Sequence, residues 1–174
     1  MSKHLCPTTG EVCNGAAVNG VNGTRSLRCS QNGVTWYSPN TLGQLYSLLE
    51  QHSTSLDRYK LVCGNTAAGV HKNDGPYTCL IDIKAVPDLH TCQAGPPLVV
   101  GSAVSLFTLL DLLQAGSDRS PFYSTLEEHL RKVANVSVRN VGSWAGNLMM
   151  KHAHPEFPSD VFTIMEAAGA KVTL

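Results

Sequence analysis

The stretch GVTWYSPNTLGQLYSLLEQHSTSLDRYKLVCG, Gly33 to Gly64, decides the fold class. Val34-Thr35-Trp36-Tyr37 is β-branched and aromatic, the composition of a strand. Thr41 is a good helix N-cap, and Gln44 three residues later makes a capping box, in which two side chains take up amides that a first turn leaves without partners. Leu42, Leu45, Leu48 and Leu49 follow at i, i+3, i+6 and i+7 as one apolar stripe. The helical pattern fades near His52 and Ser53, and Tyr59 to Cys63 is again short and apolar until Gly64. Strand, helix and strand within roughly 30 residues is the signature of a parallel β-α-β unit.

Upstream, residues 1–26 read as a linker, because Gly10, Gly15, Gly20 and Gly23 interrupt Asn, Thr and Val without any period. Structure is expected to start near Arg28, with a polar turn at Ser30 to Gly33. Downstream, Tyr77 to Ile83 and Leu98 to Val100 read as strands. Ser105 caps a helix with the stripe Leu106, Leu109, Leu110 and Leu113, closed by Gly116. Ser120-Pro121 opens a helix whose apolar positions are Phe122, Leu126, Leu130 and Val133. Val136 to Val141 reads as a strand or extended loop. A further helix follows Ser159, with Val161, Met165 and Ala168 on one face and Gly169 at C′. Lys171 to Leu174 reads as the start of a strand. The class is α+β.

The 174 residues carry 13 basic and 13 acidic side chains and 43% hydrophobic residues. That length predicts one domain, two small lobes at most. Zero net charge argues against non-specific nucleic-acid binding, which needs a basic surplus or stripe. No apolar run approaches the roughly 18 residues of a membrane span. Met1 to Leu5 shows no secretory leader, so the expectation is a cytoplasmic protein with reduced thiols. None of the six cysteines forms a C-x2-C pair, which argues against zinc and iron-sulfur ligation in this chain. His152 and His154 lie close together without further ligands in sequence, and no metal site is assigned.

Two glycine-containing loops carry the candidate chemistry. In the first, Leu61-Val62-Cys63-Gly64-Asn65-Thr66-Ala67-Ala68-Gly69, a strand enters a turn whose successive amides can form an anion-holding nest. The Gly64-x4-Gly69 spacing begins like a P-loop, but Val70-His71 stands where Lys-Ser/Thr is required. In the second, Ser143-Trp144-Ala145-Gly146-Asn147, small residues allow close approach, and Ser143 and Asn147 offer hydrogen bonds. Each alone reads as an ordinary turn. Together they suggest two walls around one phosphate-rich ligand.

KLVCGNTAAGVHK (60–72), followed by VRNVGSWAGNLMMKHAHPEFPSD (138–160), resembles the FAD domain of molybdenum hydroxylases, the family of xanthine dehydrogenase and aldehyde oxidase. GVTWYSPNTLGQLYSLL resembles the start of that domain. HPEFPSD, with the preceding KH, is more similar to insect-type aldehyde oxidases than to xanthine dehydrogenases. The resemblance implies a two-lobed FAD-binding PCMH-type fold, like that of vanillyl-alcohol oxidase, over residues 27–174, lobe one spanning about 27–84 and lobe two about 85–174. It implies that Leu61, Val62, Cys63, Gly64, Asn65, Thr66, Ala67 and Ala68 wrap the FAD pyrophosphate. It implies further contacts from Ser143, Trp144, Ala145, Gly146, Asn147 and Asp160. This chain has GNTAAG where the family often has GNTEIG, Ala145 in a place that is commonly glycine, and Val133 near a place where xanthine dehydrogenase stacks an aromatic residue.

The resemblance also implies a larger parent enzyme, with 2Fe-2S domains before this one, a molybdopterin domain after it, and a homodimeric state when intact. Electrons would pass from the iron-sulfur clusters through FAD to oxygen or NAD, in a cytoplasmic or peroxisomal setting. No side-chain acid or base of the reaction is expected here, and the chain is expected to be an incomplete FAD domain. The alternative is a truncated, non-catalytic remnant or interaction module that no longer binds FAD.

Overall fold

The computed structural model describes residues 16–19, 25–53, 58–72 and 74–173. They form two compact units. The first holds the chain up to Val62 together with Lys72–Asp88; the second holds Cys63–His71 and Leu89 onward.

The first unit is a five-stranded sheet of order β1-β2-β3-β5-β4. Its strands are β1 (Ala16–Asn19), β2 (Arg25–Gln31), β3 (Val34–Ser38), β4 (Tyr59–Val62) and β5 (Cys79–Asp82). β1, β2 and β3 form an antiparallel meander. Within 1–26, therefore, Ala16–Asn19 is a paired strand rather than linker, and Arg25 and Ser26 belong to β2. The rest of that stretch lies outside the described residues. The β2–β3 turn tightens to Asn32 (φ 51°) and Gly33 (φ 76°), a two-residue hairpin whose positive φ values match the strand twist.

β3 and β4 both pair parallel with β5, through Trp36↔Leu80 and Lys60↔Leu80. The β-α-β unit is thus real, but α1 (Leu42–Ser53) crosses over one intervening strand. Half of its capping box forms, as Gln44 N–H donates to Thr41 Oγ1 at 3.2 Å; Gln44 Oε1 reaches one residue further back and accepts from Asn40 N–H at 2.8 Å. Leu45, Val62, Cys79, Ile81 and Val86 are buried in this unit.

The second unit is mostly helical, with a small ribbon of β6 (Cys92–Gln93) and β7 (Val99–Val100) after the 3-10 turn Pro87–His90. Its core gathers Leu106, Leu109, Leu110 and Leu113 of α2 (Leu106–Ala115), Leu130 of α3 (Pro121–Arg131), Val133, and Val161 of α6 (Asp160–Ala167). Burying each such side chain contributes roughly 1.5–3 kcal/mol. Serine caps act as the spacing predicts: Ser105 accepts from Thr108 N–H and Ser159 from Phe162 N–H. Gly169 closes α6 with φ 62°.

Four expectations change. Val136–Val141 is helical, α4, because Asn135 Oδ1 caps Val138 N–H at 2.9 Å. Arg139 Nη1 also takes up the carbonyls of Arg131, Val133 and Ala134 behind it. These bonds outweigh the strand preference of three valines. Trp144–Ala153 is a further helix, α5, capped by Ser143, so the second loop is the helix's first turn. α3 ends at Arg131, so Val133 lies past it rather than on it, whereas Gly116 closes α2 as expected, where a Cβ would meet the Tyr123 ring at 2.5 Å. Residues 171–173 are not strand. Among the described residues no helix is long and apolar enough to cross a membrane, and no disulfide joins the described cysteines.

Candidate functional site

The first loop leaves the edge strand β4. Leu61 and Val62 belong to that strand, Leu61 exposed and Val62 in the first unit's core. Cys63–His71 belongs to the second unit. There the chain turns on Asn65 (φ 50°) and Gly69 (φ 78°), both left-handed positions. The turns consume two amides, Ala68 N–H to Asn65 O at 3.3 Å and Val70 N–H to Ala67 O at 3.1 Å. The N–H groups of Gly64, Asn65, Thr66 and Ala67 carry no hydrogen bond among the described residues. Consecutive unpaired amides on a loop with a left-handed residue have the makings of an anion nest.

Gly64 is glycine for a reason that sequence reasoning missed. Its φ is not positive. A Cβ there would stand 2.1 Å from Val141 O, 2.5 Å from Val141 C and 2.9 Å from Gly142 N. Gly142 answers from the other side: a Cβ on it would lie 2.9 Å from Val138 O and 3.4 Å from Thr66 Oγ1. The two loops therefore touch, backbone against backbone, at the junction of α4 and α5.

That junction is held firmly. Gly142 O accepts from Leu106 N–H at 2.9 Å, and Ser143 bridges to Ser105. Ser143 Oγ caps Gly146 N–H at 3.0 Å, and Ser143 O accepts from Asn147 N–H. The Trp144 indole N–H donates to Gly101 O at 2.8 Å, so Trp144 anchors the helix. The amides of Trp144 and Ala145, in the first turn, have no intrahelical acceptors, and a helix start carries partial positive charge. Ala145 adopts helical φ, so the alanine in this place carries no left-handed strain.

The Asn147 side chain also has a partner within the protein. Its Oδ1 accepts from Ser159 Oγ at 2.5 Å, tying α5 to the cap of α6. Ser159, not Asp160, is that cap. Asp160 is therefore left exposed in the first turn of α6, its carboxylate without a hydrogen bond or ion pair among the described residues. Val133 is buried in the core and presents no face to a ligand.

Residues 30–174 match the family described as the FAD binding domain in molybdopterin dehydrogenase. The chain belongs to that family. This molybdopterin dehydrogenase FAD domain is also 35% identical over 144 residues to an indole-3-acetaldehyde oxidase of Zea mays, covering 82% of the chain and 10% of the relative. It is 33% identical over 138 residues to abscisic-aldehyde oxidase of Arabidopsis thaliana, covering 79% and 10%. Against a probable aldehyde oxidase 4 of Oryza sativa subsp. japonica the identity is 34%, covering 80% and 17%. The domain thus spans between a tenth and a fifth of these curated relatives' lengths. Among solved structures it is similar to quinoline 2-oxidoreductase from Pseudomonas putida 86 (21% identity, TM-score 0.49), covering 64% of this chain and 37% of that one. It is similar also to carbon monoxide dehydrogenase from Hydrogenophaga pseudoflava (22%, TM-score 0.49), covering 65% and 38%. The α+β FAD-binding assignment agrees with the family match, and the aldehyde-oxidase side of the resemblance agrees with the relatives named above, which come from plants rather than insects.

Proposed function

We propose that the paired loops of the second unit hold the pyrophosphate of FAD, and that the domain passes electrons within a molybdenum hydroxylase of aldehyde-oxidase type. The observation that carries this reading is the row of unbonded amides from Gly64 to Ala67, set by the Gly64 contact against Val141 and Gly142 at the junction of α4 and α5. Backbone amides and a helix start bind phosphate without any basic side chain, which suits a chain of zero net charge. Ala145 and Gly146 keep the surface low enough for approach, and Gly146 is exposed. Asp160 offers a carboxylate to a ribose or ribityl hydroxyl. Ser143, Trp144, Asn147 and Ser159 position these groups through the bonds described above.

When bound, the flavin supplies the redox chemistry, and the protein supplies binding, orientation and local electrostatics. In this reading electrons arrive from 2Fe-2S clusters and leave to oxygen or NAD, and the intact enzyme is a homodimer with iron-sulfur and molybdopterin domains. No group here is assigned as acid or base.

The test is flavin titration of the folded chain. Saturable quenching of FAD fluorescence with a perturbed flavin absorption spectrum is expected. A folded chain that leaves the flavin spectrum unchanged overturns the reading in favour of a non-catalytic remnant.

A further inference from the structure

His71 ends the glycine loop, and His154 ends α5. Eighty-three residues apart in sequence (154 − 71), their rings stack at 3.6 Å between centroids and 7° between planes. Phe157 stands edge-on to His71 at 6.5 Å. His154 Nδ1 lies 3.4 Å from Glu156 Oε1. His71 Nε2 is buried and has no hydrogen-bond partner. One ligand atom from each of His71, His154 and Glu156 falls within 4.8 Å of the others. The turn carrying the last two is pinned: Phe157 N–H donates to His154 O, and Lys151 Nζ donates to the carbonyls of Pro155 and Phe157.

A buried ring nitrogen without a partner is uncommon in a folded protein and asks for an explanation. Two imidazoles and a carboxylate are a donor set for a borderline cation such as zinc, whose ligands sit about 2.0–2.2 Å from the metal. We propose that His71, His154 and Glu156 form a site for one divalent transition-metal ion of zinc type, with water completing the coordination. To act as ligands the two imidazoles must be neutral and the Glu156 carboxylate ionised. The lone pairs of parallel rings lie in separate planes and cannot meet at one ion. Capture therefore swings one ring, His154 at the helix end, out of the stack until its lone pair converges with that of His71. A bound ion ties the end of the glycine loop to the turn before α6. This site stands independently of the flavin reading and is tested without FAD.

The probe is Co(II), titrated into the full chain and followed by its visible absorption, then displaced by Zn(II). One equivalent with a tetrahedral-type spectrum is expected. His71→Ala and His154→Ala should each weaken binding on the order of 100-fold, and Glu156→Gln roughly 10-fold. The exposed neighbour His152→Ala should leave affinity unchanged. Circular dichroism checks folding; if His71→Ala unfolds, the surface variant Glu156→Gln and the helix-end variant His154→Ala decide the matter. Absence of stoichiometric Co(II) binding by the folded chain, wild-type affinity in His154→Ala or Glu156→Gln, or thiolate charge-transfer bands pointing to cysteine ligation overturns the site.

Discussion

Replacing Gly64 by alanine adds one methyl group, and the structure says where it goes. It lands 2.1 Å from the carbonyl oxygen of Val141 and 2.5 Å from its carbonyl carbon, both backbone atoms that cannot rotate aside. Ordinary carbon–oxygen contact is farther by more than an ångström, so the two loops must separate by about that amount. Overpacking of this kind costs typically 1–3 kcal/mol. For a chain of this size each kcal/mol lowers the unfolding midpoint by roughly 2–4 °C. The informative control is Gly69→Ala in the same loop: nothing lies within 4 Å of its Cβ, and only its φ of 78° is unfavourable. That strain costs about 1–2 kcal/mol. The two variants therefore separate on ligand affinity more than on stability. Gly64→Ala moves the amide row away from α5 and should lose FAD binding, whereas Gly69→Ala keeps the loop contact and should retain most of it. Thermal unfolding by circular dichroism and fluorescence titration with FAD measure both. If Gly64→Ala binds FAD as tightly as Gly69→Ala, the loop contact is not what assembles the site.

Ser159→Ala should lose about 1 kcal/mol for the missing cap, and more because Asn147 Oδ1 loses its donor; a melting curve within error of wild type would refute this. Asp160→Asn should leave stability within about 0.5 kcal/mol, because the residue is exposed and unpaired, while weakening FAD binding; equal FAD affinity would remove Asp160 from the site. Tyr77 has its hydroxyl pKa raised, chiefly by burial and then by its hydrogen bond to the Asp74 carboxylate. Folding thus favours the protonated phenol, a contribution fully present below about pH 10 and lost as pH rises through the higher folded value. Denaturant midpoints measured across alkaline pH should fall less steeply in Tyr77→Phe, and identical slopes would exclude the linkage.

The helices most legible in the sequence are those where a capping serine or threonine precedes a leucine stripe: α1, α2 and α6 all begin where Thr41, Ser105 and Ser159 place them. α5 was hidden because Ala145 and Gly146 in its first turn read as turn chemistry, although Ser143 three residues before Gly146 was a capping signal. α4 was hidden by its valines; the deciding groups, Asn135 and Arg139, act through side-chain bonds that local propensity does not contain. Strand types were readable from β-branched composition, but the place of β5 between β3 and β4 depends on pairing between distant segments. The same holds for the site. The presence of two loops could be read from their glycines, whereas the contact between Gly64 and Val141, 77 positions apart (141 − 64), has no local trace.

The nine residues from Cys63 to His71 lie within the link between β4 and β5, which are adjacent and parallel. Parallel neighbours cannot be joined by a tight hairpin; the chain needs a crossover of a dozen or more residues. Residues 63–78 are that crossover, so sheet topology itself requires a long excursion at this point in the chain. The sheet can zip up once β5 has been made, but the partner of Gly64 is synthesised some 60 residues later still (141 − 82 = 59). Contacts of such high sequence separation close late, after their loop entropy can be offset by structure already formed. The amide row is consequently expected to meet its partner loop late, after the sheet has formed.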